Sequence, residues 1–141
     1  MPRSIANTSP SPKTWIVSYL PALIWAAFIL VLISLPGKDL PDFDIWEIDI
    51  EDKIGHLVVF GFQACLIRLG LYLRGQTPSK RIYLIIFLMV SAFGGFTEIL
   101  QDLAFPSRFA SISDFIADAL GAALGTVFAH YFFKKFRSRR S

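Results

Sequence analysis

Acidic residues are absent from most of this sequence. None of its eleven Asp and Glu residues lies before residue 39, between residues 53 and 97, or after residue 118. A single cysteine, Cys65, excludes an intrachain disulfide and gives no sign of a redox compartment, and we expect it to pack as a small apolar residue. Charged residues make up 18% of the chain and hydrophobic residues 54%. This composition argues against an ordinary soluble domain.

Long hydrophobic runs dominate what is present. They cover residues 15–35, 54–73, 82 to about 101, and 112–133. The first run has no charge and is long enough to cross about 30 Å of hydrocarbon. It exceeds the roughly 7–15 apolar residues of a signal peptide and leads into Leu35-Pro36-Gly37 without a cleavage site, so we interpret it as a retained helix. The sequence therefore predicts an all-α polytopic membrane protein, a bundle of four transmembrane helices.

The charges between these runs alternate in sign. The predicted loop at about 36–53 holds seven of the acids, whereas Arg74, Lys80 and Arg81 follow the second run without an acid. Residues 134–141 form a basic tail. Because cytoplasmic segments collect Lys and Arg, this pattern predicts both termini in the cytoplasm and the acidic loop outside. We expect residues 1–14 to be a disordered cytoplasmic lead, and we exclude nucleic acid as a partner because the basic residues flank predicted spans.

Helical spacing places the polar residues of the spans on shared faces. At about 100° per residue, each of the last three helices has one polar or small-residue face. These faces predict an outward-opening cluster of Asp52, Lys53, His56, Glu98, Gln101, Asp114 and Asp118, with Arg108 above it. Small residues let transmembrane helices approach closely, which predicts helix packing at Gly94, Ala117, Gly121 and Gly125. Near the inner surface, we expect Arg68 to extend toward the headgroups and His130 to be interfacial.

Several kinds of chemistry fit the predicted cluster. His56 and the carboxylates are suited to general acid–base work, and the same atoms are suited to binding a divalent cation. Lys53 and Arg108 are suited to holding a phosphate or carboxylate. Alternatively, these cations neutralise Glu98 and Asp114 and only stabilise the helix ends. Ser111-x-x-Asp114 also matches a capping box, which gives Asp114 a local structural role.

These residues resemble the VanZ-like family of small bacterial membrane proteins. The first matching segment, Asp52-Lys53-Ile54-Gly55-His56, is similar to that family's D-K-x-x-H motif. The second segment is similar to its E-x-x-Q … R … D … G-x-x-x-G run and comprises Glu98, Gln101, Pro106, Arg108, Ser111, Asp114, Gly121 and Gly125. The chain departs from the pattern at Phe60, where the family has Tyr, and at Asp118, where it has Asn.

The resemblance implies a four-helix domain over residues 15–133, a location in the bacterial cytoplasmic membrane, and a role in the cell envelope. The family is named for low-level resistance to teicoplanin, but the resemblance supplies no reaction and no cofactor. Our leading hypothesis is an accessory protein that binds the headgroup of a lipid-linked envelope precursor or a glycopeptide. The first alternative is an intramembrane enzyme in which His56 and Glu98 transfer protons. The second is a structural membrane partner whose charges only stabilise the bundle. The oligomeric state and any metal stay open.

Overall fold

Four long helices make up the described part of the chain. The computed structural model describes residues 12–34, 50–104 and 110–138, without the side chains of residues 12–14, 50 and 51. The helices are α1 (Pro12–Ser34), α2 (Ile50–Leu73), α3 (Lys80–Ala104) and α4 (Ile112–Ser138). The predicted lead before residue 12, the predicted acidic loop up to residue 49, Arg108 and the last three residues lie outside the described ranges.

Local sequence signals account for the helix ends. Gly75 adopts a φ of 69° just after α2, a conformation that residues with a side chain rarely adopt. Ser79 then accepts backbone bonds from Ile82 and Tyr83 as α3 begins. α4 continues to Ser138 rather than stopping at residue 133, so the first part of the predicted basic tail is helical. α2 likewise begins at Ile50 rather than at residue 54.

α2 is the central helix of the bundle. It contacts all three other helices, most extensively α4, whereas α1 and α4 do not touch within the described ranges. Two side-chain bonds connect α1 to α2: Trp25 donates to the carbonyl of Val59 at 3.0 Å, and Gln63 donates to that of Ala22 at 3.2 Å. In an apolar surrounding, apolar side chains gain little by packing against each other rather than against the surroundings, so hydrogen bonds such as these help to hold α1 against α2.

Glycines set the close approach of α4 to α2. A Cβ on Gly121 would collide with the carbonyl of Leu57, and a Cβ on Gly125 would collide with that of Gly61. Because both obstacles are backbone atoms, a larger residue at either position would force the helices apart. The predicted packing roles of Gly121 and Gly125 are consistent with these contacts.

The outer surface of the bundle is strongly apolar. All four helices are long and apolar enough to cross a membrane, with a mean hydropathy between 1.5 and 2.5. Large apolar side chains such as Leu20, Met89, Phe96 and Leu124 are exposed along them. Soluble monomers rarely expose continuous apolar surface of this extent. The all-helical architecture predicted from the sequence is therefore confirmed, with four helices of membrane-spanning length.

The two ends of the bundle differ in charge. We call the end where α2 finishes and α3 starts the basic end. There the Arg74 guanidinium carbon lies 3.2 Å from the Trp15 ring centroid. Arg137 donates to the carbonyl of Gln76 at 3.0 Å. We call the opposite end, which carries His56 and Asp118, the acidic end. Both termini of the described chain lie toward the basic end.

One prediction about the basic end is wrong. Arg68 does not extend outward to the surface, since its side chain is only 4% exposed. Its guanidinium carbon lies 5.3 Å from the ring centroid of Phe133 and 6.0 Å from that of Tyr83. These rings belong to α4 and α3. The neighbouring helices therefore enclose the Arg68 side chain, which its position near the end of α2 had suggested would extend toward the headgroups.

Candidate functional site at the acidic end

Three ionisable side chains from three helices meet at the acidic end. His56 of α2 places Nδ1 2.9 Å from Oδ1 of Asp118 on α4 and 3.8 Å from Oε1 of Glu98 on α3. Asp118 is fully buried, and Glu98 is 4% exposed. The sequence predicted these three residues in one cluster, and the structure brings them together.

Small residues make this meeting possible. Gly94 of α3 faces Asp118 so closely that a Cβ on the glycine would lie 2.6 Å from Oδ2 and 2.7 Å from the Asp118 Cβ. Ala117, beside Asp118, is also buried. The carboxylate of Asp118 therefore occupies the space that a side chain at position 94 would fill, which agrees with the predicted packing role of Gly94.

The His56–Asp118 contact fixes the roles of the imidazole nitrogens. An ionised carboxylate only accepts hydrogen bonds, so with Asp118 ionised the N–H at Nδ1 donates to Oδ1 of Asp118. In the neutral ring, Nε2 is then the acceptor. Phe60, one turn along α2, is buried and lies nearly parallel to the imidazole, with ring centroids 6.3 Å apart. Phe60 thus supports one face of His56 without offering a hydroxyl.

Glu98 is held by the start of α4. The backbone N–H of Ser111 donates to Oε2 of Glu98 at 2.9 Å. The Ser111 hydroxyl accepts from the backbone N–H of Asp114 at 3.3 Å, as expected for the predicted cap. Sequence reasoning gave Ser111 only this capping role and missed its bond to Glu98. The available signal was that Glu98 lies within two turns of the end of α3 and that Ser111 directly precedes α4.

Two buried oxygens of the cluster have no hydrogen-bond partner among the described residues: Oε1 of Glu98 and Oδ2 of Asp118. Leaving a buried acceptor unsatisfied typically costs about 1–3 kcal/mol. Such atoms are consistent with a proton or a ligand at the cluster. These two oxygens are therefore available to accept a hydrogen bond or to coordinate a cation.

The same atoms are arranged in a way that fits a cation. His56, Glu98 and Asp118 each offer a ligand atom, and these atoms lie within 4.8 Å of one another. The ligand atoms of a second group, His56, Asp52 and Asp114, also lie within 4.8 Å of one another. Imidazole nitrogen and carboxylate oxygen are ordinary ligands of Zn²⁺, at about 2.0–2.2 Å. Small side-chain movements would bring three ligands onto one ion.

A cavity of about 120 Å³ opens beside His56, between α1 and α2. Its polar wall consists of His56, Asp52 and Gln101. Ile29 and Ile33 of α1 are among the apolar residues opposite. A water needs roughly 10–15 Å³ of such space, so the cavity has room for a ligand group of several heavy atoms.

The remaining predicted residues are placed less favourably. Lys53 lines a different depression, between α2 and α4, together with Ser113 and Ala117. Asp114 is half-buried, donates its backbone N–H to the capping hydroxyl of Ser111, and does not line the cavity. Arg108 lies outside the described residues. Asp52, His56 and Gln101 thus line the cavity, and Lys53 does not. Glu98 and Asp118 contact His56 without lining it.

Comparisons with protein-family models, with curated proteins and with solved structures gave no match to this chain.

Proposed function

We propose that this chain is a VanZ-like, multi-pass protein of the bacterial cytoplasmic membrane that binds the polar head of an amphipathic envelope molecule. In this proposal both termini lie in the cytoplasm, and the acidic end faces outward. The ligand is a lipid-linked envelope precursor or a glycopeptide. The observation that carries the proposal is the two-sided cavity, which has Asp52, His56 and Gln101 on one wall and apolar α1 residues on the other.

The lining favours a particular headgroup chemistry. Asp52 and the carbonyl of Gln101 accept hydrogen bonds, and His56 adds an acceptor at Nε2 whenever its ring is neutral with the proton on Nδ1. With Lys53 directed toward the α2–α4 depression, the cavity wall carries a carboxylate and no lysine or arginine. We therefore assign it a donor-rich head, such as sugar hydroxyls, amides or an amine, rather than an anionic phosphate. This differs from the role that the sequence suggested for Lys53.

A direct test measures which lipid co-purifies with the protein. The full chain is extracted in a mild detergent, and bound lipids and glycolipids are identified by mass spectrometry. Asp52→Asn and Gln101→Leu should each reduce the amount of the bound species at least several-fold, because each removes acceptors from the wall. Asp102→Asn is the matched control, since Asp102 is exposed at the same end and does not line the cavity. Equal retention by all variants would refute the proposal.

The geometry also supports a second candidate, a small intramembrane enzyme. A carboxylate that holds the imidazole at Nδ1 leaves Nε2 to accept a proton from a bound hydroxyl or water, as in carboxylate–histidine pairs of hydrolases. The nearer carboxylate is Asp118, so Asp118 orients the ring and Glu98 is the more distant partner. His56→Gln should then preserve ligand binding and abolish turnover, whereas a binding protein without catalysis shows no turnover in either form.

The purely structural alternative makes a different prediction. If the charges only stabilise helix ends, His56→Ala and Glu98→Ala should lower the amount of protein in the membrane. If they form a site, both variants should reach normal abundance, and His56→Ala should lose ligand because His56 lines the cavity. Quantitative immunoblotting of membranes beside the lipid analysis separates these outcomes.

A further inference from the structure

The basic end contains a second polar cluster, which the proposed function does not use. Arg68 of α2 donates through Nε to the hydroxyl of Tyr83 on α3 at 3.4 Å. The same hydroxyl lies 2.9 Å from Nδ1 of His130 on α4. Since the Tyr83 oxygen accepts from Arg68, the Tyr83 O–H is able to donate to Nδ1 of His130. In a neutral His130 ring that accepts at Nδ1, the proton is on Nε2.

Arg68 is buried without a carboxylate. Its side chain is 4% exposed, and its terminal nitrogen NH1 has no hydrogen-bond partner among the described residues. The sequence has no Asp or Glu between residues 53 and 97 or after residue 118, so every acid of the transmembrane helices lies toward the acidic end. The rings of Phe133 and Tyr83 offset part of the desolvation cost of the guanidinium. A buried guanidinium ordinarily has an anion as well.

A cavity of about 360 Å³ adjoins Arg68. This volume lies within the roughly 300–1,000 Å³ of small-molecule sites. Lys134 and Arg137 line it together with His130, and no acidic residue is among its lining residues. Lys134 is exposed and Arg137 half-exposed, so the cavity is open to the surface at the end of α4. Arg137 also donates to Thr77 and to the carbonyl of Gln76, which holds it at the rim.

We infer that this cavity binds a phosphate group, with Arg68 at its base and Lys134 and Arg137 at its mouth. A planar guanidinium presents paired N–H donors that match phosphate oxygens, and lysine adds a point charge. Two sources supply such a group at the end of a transmembrane bundle: the headgroup of an anionic phospholipid and a soluble phosphate compound. The inference is independent of the ligand proposed at the acidic end.

The test uses the purified full chain in a phosphorus-free detergent with no added lipid. One series adds inorganic phosphate against sodium chloride of the same ionic strength, and the other adds phosphatidylglycerol against a neutral lipid. Melting temperature is recorded in both. A rise with phosphatidylglycerol alone identifies a lipid headgroup, and a rise with inorganic phosphate identifies a soluble ligand. Either result supports the inference if it depends on Arg68.

Variants establish that dependence. Arg68→Gln should weaken the apparent affinity about tenfold or more, because it removes a charge-assisted contact. Since Arg68→Gln also alters buried packing, Lys134→Gln provides a second variant at an exposed pocket residue and should weaken binding in the same direction. Lys135→Gln is the matched control, as Lys135 is exposed beside the pocket and does not line it. Absence of a response in both series, or equal responses in all four proteins, would overturn the inference.

Discussion

Gly94→Ala should disturb the acidic end more than the same substitution one residue later. A Cβ at position 94 would lie 2.6 Å from Oδ2 of Asp118, so the carboxylate must move to reach ordinary contact at 3.4 Å or more. Overpacking of this kind costs about 1–3 kcal/mol. Replacing a helical glycine by alanine gains about 0.5–1 kcal/mol in return. The expected net effect ranges from about zero to 2.5 kcal/mol of destabilisation.

Gly95→Ala is the matched control. Its Cβ would meet only the ring of Phe115, at 3.2 and 3.4 Å, and that exposed ring is able to shift. This variant should be neutral or slightly stabilised, which places the two proteins about 1–3 kcal/mol apart. Unfolding of each purified protein by denaturing detergent in mixed micelles measures the difference. Co-purified ligand reports separately on the displacement of Asp118. If the two variants unfold at the same detergent fraction, Gly94 does not support Asp118 as described.

Three further predictions concern the cap, the helix contact and the topology. Ser111→Ala should destabilise the protein by about 1 kcal/mol through loss of the cap at α4, whereas the exposed neighbour Ser113→Ala should cost less in the same unfolding assay. Gly121→Ala should lower the free energy of unfolding by about 1–3 kcal/mol, because the new Cβ meets the backbone of α2. Gly55→Ala is the control and should be neutral or stabilising, because its Cβ meets nothing within 4 Å. Equal effects of the two substitutions would contradict the helix contact. A reporter fused to the C-terminus should be active only in the cytoplasm, and activity outside would refute the proposed orientation.

The sequence was sufficient to predict the helices and the inward faces. Uninterrupted apolar runs are a strong signal, and helical spacing correctly directed His56, Glu98 and Asp118 toward one another. Helical spacing gives the direction in which a side chain points around the axis of its helix. It gives neither the rotation of one helix against the next nor the distance between them. For this reason the sequence favoured Glu98 as the proton-transfer partner of His56, whereas Asp118 is closer by about 1 Å.

The positions of Lys53 and Arg68 were not predictable from the sequence for similar physical reasons. Lys53 lies three residues before His56, but α2 directs it toward α4 and away from the cavity. Arg68 lies one turn from the end of its helix, where a long side chain ordinarily reaches the headgroups. Its burial depends on Tyr83 and Phe133 of other helices. No pattern within α2 contains that information.

The division of the acidic cluster among three consecutive helices has a consequence for how the chain is made. His56, Glu98 and Asp118 belong to α2, α3 and α4, so synthesis delivers them in that order. Until α4 packs against the other helices, His56 lacks its nearest acceptor and Glu98 lacks the Ser111 N–H. In the proposed membrane location an unpaired polar group in hydrocarbon is costly, so a three-helix intermediate would be poorly satisfied at this end. The last helix therefore completes the polar centre, and a chain truncated before it should be recognisable to membrane quality control.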